Sequence, residues 1–212
     1  MIETAAIDEL AALVRSRSPV GATRLVTIDG HSGAGKTRLT GRLARALDRA
    51  PVVHLDFFYP GWDGLVDGVA LAVGWVAEPL VAGRPARWRR YDWTTDEFAE
   101  WHETSCAPVV LLEGCGAGSA ALRPHASTAV WVDTAAELRD ERLRGRIDWA
   151  RYAPHRARWR AQEDALFAVE RPWEHADVIV DNGPSPAGPE RRLLCHAGHG
   201  APGHRQFGDG HG

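Results

Sequence analysis

Ile28-Asp29-Gly30-His31-Ser32-Gly33-Ala34-Gly35-Lys36-Thr37 decides how the rest of this 212-residue chain is read. Its core, Gly30-x-x-x-x-Gly35-Lys36-Thr37, has the spacing of a phosphate-binding P-loop. The glycines let the backbone wrap closely around phosphate oxygens, with successive N–H groups pointing inward. The start of the following helix adds a favourable dipole for anions. All eight positions, Gly30, His31, Ser32, Gly33, Ala34, Gly35, Lys36 and Thr37, are candidates for nucleotide contact. Lys36 would reach the β- and γ-phosphates, and the Thr37 hydroxyl would ligate Mg²⁺. The chain has 25 basic residues, and Lys36 alone among them is lysine. In a composition so biased towards arginine, the one lysine stands where the motif requires it.

Working outward, Arg24–Asp29 is a short apolar strand of the buried, parallel type, and it leads into the loop. A helix follows the loop, with Leu39, Leu43, Ala46 and Leu47 on one face. Residues 3–17 read as an amphipathic helix through Ile7, Leu10, Leu13 and Val14. Pro51–Asp56, Val109–Glu113, Ala129–Asp133 and Asp177–Asp181 read as further strands. Residues 65–82, 134–147 and 155–170 read as helices. Short apolar strands alternating with helices predict βαβ units: an α/β fold, with a parallel sheet flanked by helices on both faces. Residues 1–183 form one domain in this reading. Residues 184–212 are rich in Gly, Pro and His and read as a disordered tail.

Four more features bear on chemistry. Asp56 ends the second strand, where ligands of open α/β sheets bind. It could take a proton from a hydroxyl or hold Mg²⁺, or it could cap a turn. Glu113 ends the third strand after four apolar residues and is a second candidate for Mg²⁺. The run Arg84 to Trp93 interleaves arginines with aromatic residues. It either stacks on a ring and pairs with phosphate, or forms an edge hairpin with solvated arginines. Arg139, Arg142, Arg144, Arg146 and Arg151 crowd one segment. Most would pair with Glu137, Asp140 and Glu141 on an exposed helix, leaving one or two for a phosphate lid. The tail histidines and Cys195 lack regular ligand spacing and are read as solvated. Cys106 and Cys115 are read as small core or loop residues.

A formal charge of −3 excludes a generally cationic nucleic-acid binder. Three cysteines without paired spacing favour a reduced, cytoplasmic setting. No apolar run has the length of a membrane span, so neither nucleic acid nor membrane is an expected partner.

Over residues 22–183 the chain resembles the uridine kinase-like group of P-loop kinases. The resemblance rests on Ile28–Thr37, His54-Leu55-Asp56-Phe57-Phe58-Tyr59 and Arg90-Tyr91-Asp92-Trp93. Leu111-Leu112-Glu113-Gly114, Leu143-Arg144-Gly145-Arg146 and Ala176–Asp181 complete it. It implies a P-loop three-layer fold with five parallel strands in the order 2-3-1-4-5, ATP and Mg²⁺ as cofactors, and a small-molecule hydroxyl as acceptor. Asp56 would be the base for that hydroxyl, near the metal site of Thr37, Asp56 and Glu113. Tyr59, Tyr91, Asp92 and Trp93 would line the acceptor pocket. Asp67, or alternatively Asp63, would hold ribose hydroxyls. Arg144 and Arg146, with Arg142 as a third choice, would act from a lid spanning about residues 142–156.

Two departures stand out. Thr94 and Thr95 occupy the place of the family's base-contacting His, which His102 lies too far along to fill. The segment after Arg146 is also unusually rich in Trp. A nucleoside is the first expected acceptor. A nucleotide, a sugar, a pantothenate-like metabolite and an antibiotic are alternatives. A regulatory nucleotide-binding module is the rival from another class, and a homo-oligomer is compatible with either.

Overall fold

The computed structural model describes residues 4–183 and 193–195. In chain order the elements are α1 (Thr4–Ser16), β1 (Arg24–Asp29), α2 (Lys36–Ala46), β2 (Val52–His54), α3 (Leu65–Ala72) and α4 (Glu78–Val81). The hairpin strands β3 (Ala86–Asp92) and β4 (Glu97–Thr104) follow, then β5 (Val109–Glu113), β6 (Thr128–Asp133) and α5 (Ala136–Arg144). The chain continues through α6 (Trp149–Tyr152), α7 (Arg156–Glu170), α8 (Pro172–His175), β7 (Val178–Asp181) and β8 (Leu193–Cys195).

Five parallel strands lie in the order β2-β5-β1-β6-β7. With the hairpin set aside this is the 2-3-1-4-5 order implied by the resemblance. Successive strand residues enter different cores, as the two-residue period of a strand requires. Leu25, Val110, Leu112 and Trp131 join α3, the hairpin and α7 on one face. Val26, Ile28, Leu111, Val130 and Val132 join α1 and α2 on the other. The predicted stripe of α1 buries Ile7, Leu10 and Val14 there. Each such side chain contributes roughly 2 kcal/mol of apolar burial.

Three details differ from the sequence expectation, and a fourth matches one of the two alternatives it left open. β2 stops at His54, and Asp56 sits on a 3₁₀ turn over Leu55–Phe57, closed by Phe58 N–H donating to Leu55 O at 2.8 Å. The helix expected over 65–82 is interrupted by a π turn at Val73–Ala77, just before Pro79, which has no N–H to continue the ladder. The Arg84–Trp93 run contributes β3 to a separate two-stranded antiparallel sheet with β4, the hairpin alternative of the sequence reading. Within the tail segment, Leu193–Cys195 add an antiparallel strand beside β7, while the tail histidines lie outside the described residues. Among the described residues no helix is long and apolar enough to cross a membrane.

Candidate active site

Strand order builds the site. β5 lies between β1 and β2, and Glu113 at its end is in register with Ile28 on one side and His54 on the other. The P-loop leaving β1 and the turn carrying Asp56 therefore flank Glu113. Gly35 caps α2 at φ 98° with no side-chain cap, which leaves the first-turn N–H groups to an anion. A Cβ on Gly35 would lie 2.3 Å from Asn182 Nδ2, and one on Gly33 2.6 Å from the Arg139 carbonyl, so both positions require glycine. Arg142 Nη1 donates to the Ala34 carbonyl at 3.2 Å, and Asn182 Nδ2 donates to the same oxygen at 2.6 Å.

Lys36 is buried, its Nζ donating to the Gly30 carbonyl at 2.7 Å and the His31 carbonyl at 3.1 Å. Burial alone would depress it, but the acids Glu113, Glu163 and Asp29 hold it above its ordinary value. Thr37 Oγ1 donates to Glu113 Oε1 at 3.0 Å, and His54 Nδ1 lies 2.5 Å from the same oxygen. The bond to Glu113 raises His54. Burial opposes ionisation of Glu113, but His54 and Lys36 outweigh it and hold the carboxyl low. Asp56 is exposed on the wall of a cavity although protein surrounds it at depth, and burial plus the charge of Glu113 push its carboxyl up.

Two buried acids that the sequence reading did not select brace the loop from outside. Asp29 accepts from the N–H groups of Gly30, Gly116 and Gly118 at 2.7, 3.0 and 2.9 Å. This ties the P-loop to the turn after β5. Burial pushes its carboxyl up to about 6 despite those bonds. Glu163 of α7 accepts from Ser32 N–H at 3.0 Å, Ser32 Oγ at 2.6 Å, Cys115 Sγ at 2.8 Å and Trp159 Nε1 at 3.1 Å. Burial opposes its charge, but His31, Lys36 and these donors hold it down at about 2. Cys115 itself is a buried thiol pushed well up by burial and by Glu163.

A cavity of about 210 Å³ opens beside Ser32 and Asp56. It gathers Tyr59, Tyr91, Trp93 and Arg146 from the expected set, and adds Trp62, Tyr152, Trp159, Asp148, Arg90 and Arg151. Trp93 Nε1 donates to the Asp56 carbonyl at 3.1 Å, and Trp62 stacks on His155 with centroids 4.3 Å apart. Arg146 is paired with Asp148 through two bonds of 2.8 Å. Other expected residues lie elsewhere. Asp67 is exposed on α3, and Arg144 is exposed at the end of α5; neither lines the cavity. Asp63 pairs with Arg158. Asp92 caps Thr94 N–H at 2.8 Å and pairs with Arg90 at 3.1 Å. His102 stacks on Trp88 in the hairpin.

Comparison with solved structures adds two likenesses. One is to a possible uridine kinase from Bacillus stearothermophilus, with 22% identity, TM-score 0.59, and coverage of 82% of this chain and 96% of that one. The chain has the P-loop kinase fold. The second likeness is to a proposed fructose transport system kinase from a Silicibacter species, with 21% identity, TM-score 0.51, and coverage of 79% and 94%. No family model and no curated protein sequence matches the chain. Ligands of open α/β sheets bind outside the carboxyl ends of the strands, and this cavity lies beside Asp56, just past the end of β2.

Proposed function

We propose that the protein transfers the γ-phosphoryl group of ATP to a hydroxyl of a small molecule held in the cavity beside the P-loop. The observation that carries this reading is the position of Asp56. Its carboxylate lines the cavity, lies within the electrostatic reach of Lys36 and Glu113, and has a raised pKa. A pure nucleotide switch needs no such base facing a pocket.

In the transfer, the acceptor oxygen bonds to the γ-phosphorus while the bond from that phosphorus to the bridging oxygen breaks, releasing ADP. The hydroxyl proton passes to Asp56. A raised pKa suits a base working near neutral pH. The P-loop amides and Lys36 hold the triphosphate, and Arg146 on the cavity wall supplies positive charge near the transferring group. The Thr37 hydroxyl with the Glu113 and Asp56 carboxylates is an oxygen-only donor set, which suits Mg²⁺. Among the described residues no group of three or more His, Cys, Asp or Glu could hold a metal alone. Mg²⁺ would therefore also take water and phosphate oxygens, as it commonly does. Bound there, it would neutralise charge on the phosphates.

The test is ADP release from Mg-ATP over a panel of nucleosides, sugars, hydroxy acids and aromatic alcohols, with Lys36→Ala as blank. Stimulation by one acceptor, lost in the blank, supports the reading. ATP binding with no stimulation by any acceptor would refute it and favour a regulatory nucleotide binder.

A further inference from the structure

We propose that the acceptor is a single flat ring carrying a hydroxymethyl group, and that the cavity does not read a ribose. This rests on the phosphotransferase reading and names its substrate class. Three independent observations carry it.

The first is the chemistry of the walls. Tyr59 O–H donates to the Cys115 carbonyl at 2.8 Å, Tyr91 O–H to Asp96 at 2.5 Å, Trp93 Nε1 to the Asp56 carbonyl at 3.1 Å and Trp159 Nε1 to Glu163 at 3.1 Å. Four of the lining rings thus spend their polar atoms on the protein and present ring surface to the cavity. Such surfaces recognise flat or apolar bodies by stacking and edge contact.

The second is the acid inventory. Reading a vicinal diol takes an acceptor with free lone pairs, most often a carboxylate. Among the described residues only Asp56 and Asp148 supply carboxylates to the cavity wall. Asp56 is committed to the reacting hydroxyl. Asp148 is engaged by both Nε and Nη2 of Arg146. The acids a ribose would need, Asp67 and Asp63, are exposed and lie off the wall, and Asp63 is paired with Arg158.

The third is size. The volume of about 210 Å³ exceeds the roughly 150 Å³ that suffices for benzene in an engineered cavity. It falls short of the roughly 300 Å³ at which pockets for larger ligands begin. One ring with a short substituent fits this room. Arg90 and Tyr91, adjacent at the bulge in β3, both line the cavity. Glu100 and Asp92 hold Arg90 through its Nε and Nη2. That fixes its position as a donor to an oxygen or nitrogen at the edge of the ring, which favours a heteroaromatic acceptor.

The experiment measures ADP release and tryptophan fluorescence with 3-pyridinemethanol, 5-(hydroxymethyl)pyrimidine, uridine and 2′,3′-dideoxyuridine. The expected result is kcat/KM for a ring alcohol above that for uridine by more than about tenfold, with the two nucleosides within about threefold of each other. Uridine as the best acceptor, losing more than about tenfold without its 2′ and 3′ hydroxyls, would overturn the proposal. Should no compound stimulate ADP release, fluorescence separates the two ideas. Quenching by ring alcohols in the wild type but not in Trp93→Leu, with ATP binding intact in both, would leave the cavity assignment standing and the phosphotransfer reading refuted. No saturable quenching by either ring alcohol would overturn the cavity assignment whatever ATP does.

Discussion

The P-loop side of the site is made of backbone and buried charge, whereas the proposed acceptor side is made of aromatic rings. On the first side, one contiguous segment turns between β1 and α2. Two buried acids and one buried lysine brace it at fixed hydrogen-bond distances. On the second side, the hairpin, the turn after β2, the α6 segment and α7 each contribute one to four residues. Backbone and charge constrain which anion can bind, because each N–H and each carboxylate has a direction and a sign. Ring surfaces constrain shape and leave chemistry open. One protein can therefore hold a widely shared P-loop beside a pocket of its own.

The sharpest way to test this division is to remove one group from each side. Lys36→Ala should cost kcat/KM on the order of 10³-fold, because a single positioned cation at the transferring phosphoryl group is lost. It should also lower the melting temperature, since Glu113, Glu163 and Asp29 then lose the charge they surround. Asp56→Asn should cost kcat on the order of 10²-fold or more while sparing the affinity for ATP. In the wild type, kcat/KM should fall on the acid side as Asp56 takes up a proton. The asparagine variant should lack that limb. An unchanged acid limb would remove Asp56 from the proton transfer.

How much of each side could be read from sequence follows from how each is built. The P-loop is contiguous, so its spacing alone places eight residues. Asp56 and Glu113 were legible because strand ends in a parallel sheet point to one edge. Glu163 was not, since it meets Ser32 across 131 positions and nothing in its neighbourhood marks it. Trp62, Tyr152 and Trp159 were hidden for the same reason: a cavity wall drawn from several elements has no local pattern. Asp67 carried a usable warning. The buried stripe of α3 is Leu65, Gly68, Val69 and Ala72, at helical spacing, and position 67 lies off it. Arg144 and Arg146 are separated by the end of α5 at Gly145, after which only Arg146 reaches the cavity.

The two buried acids allow a test within the nucleotide side itself, because their shifts have opposite signs. Asp29 has a folded pKa of about 6 against an unbound 3.8, so its contribution to stability is full below 3.8 and is lost as pH rises through about 6. Glu163 has a folded pKa of about 2 against 4.5, so its contribution is full above 4.5 and is lost as pH falls through about 2. Each shift corresponds to about 3 kcal/mol. Urea unfolding should show Asp29→Asn removing a decline in stability between about pH 4 and pH 6. Glu163→Gln should remove a gain between about pH 2 and pH 4.5. Parallel slopes in the two variants would mean that the bracing does not depend on these charges.

On the acceptor side, Trp62→Ala should raise KM for the acceptor about tenfold, the worth of one stacked aromatic contact, and leave KM for ATP unchanged. Trp62 meets Trp93 at 4.6 Å and His155 at 4.3 Å between centroids, so it ties the turn after β2 to the segment entering α7. An equal rise in both KM values would show that the two sides share one mechanical unit and that the contrast between them is weaker than drawn.

The smallest effect expected is at the ion pair that parallels that aromatic tie. Arg158 of α7 reaches Asp63, one residue beyond Trp62, and both side chains are more than half exposed, at 56% and 62%. Water screens such a pair, and holding two long side chains in one geometry opposes the Coulomb gain, so exposed pairs are worth about 0.5 kcal/mol or less. Arg158→Ala should therefore shift stability by no more than that and acceptor KM by less than about twofold. The same two segments would then be joined by ring contact at Trp62 and merely decorated by charge at Asp63. If Arg158→Ala instead raised acceptor KM as far as Trp62→Ala, the α7 wall would be held in place electrostatically, and added salt should weaken acceptor binding in the wild type. Acceptor KM across a salt series therefore decides which force closes the cavity.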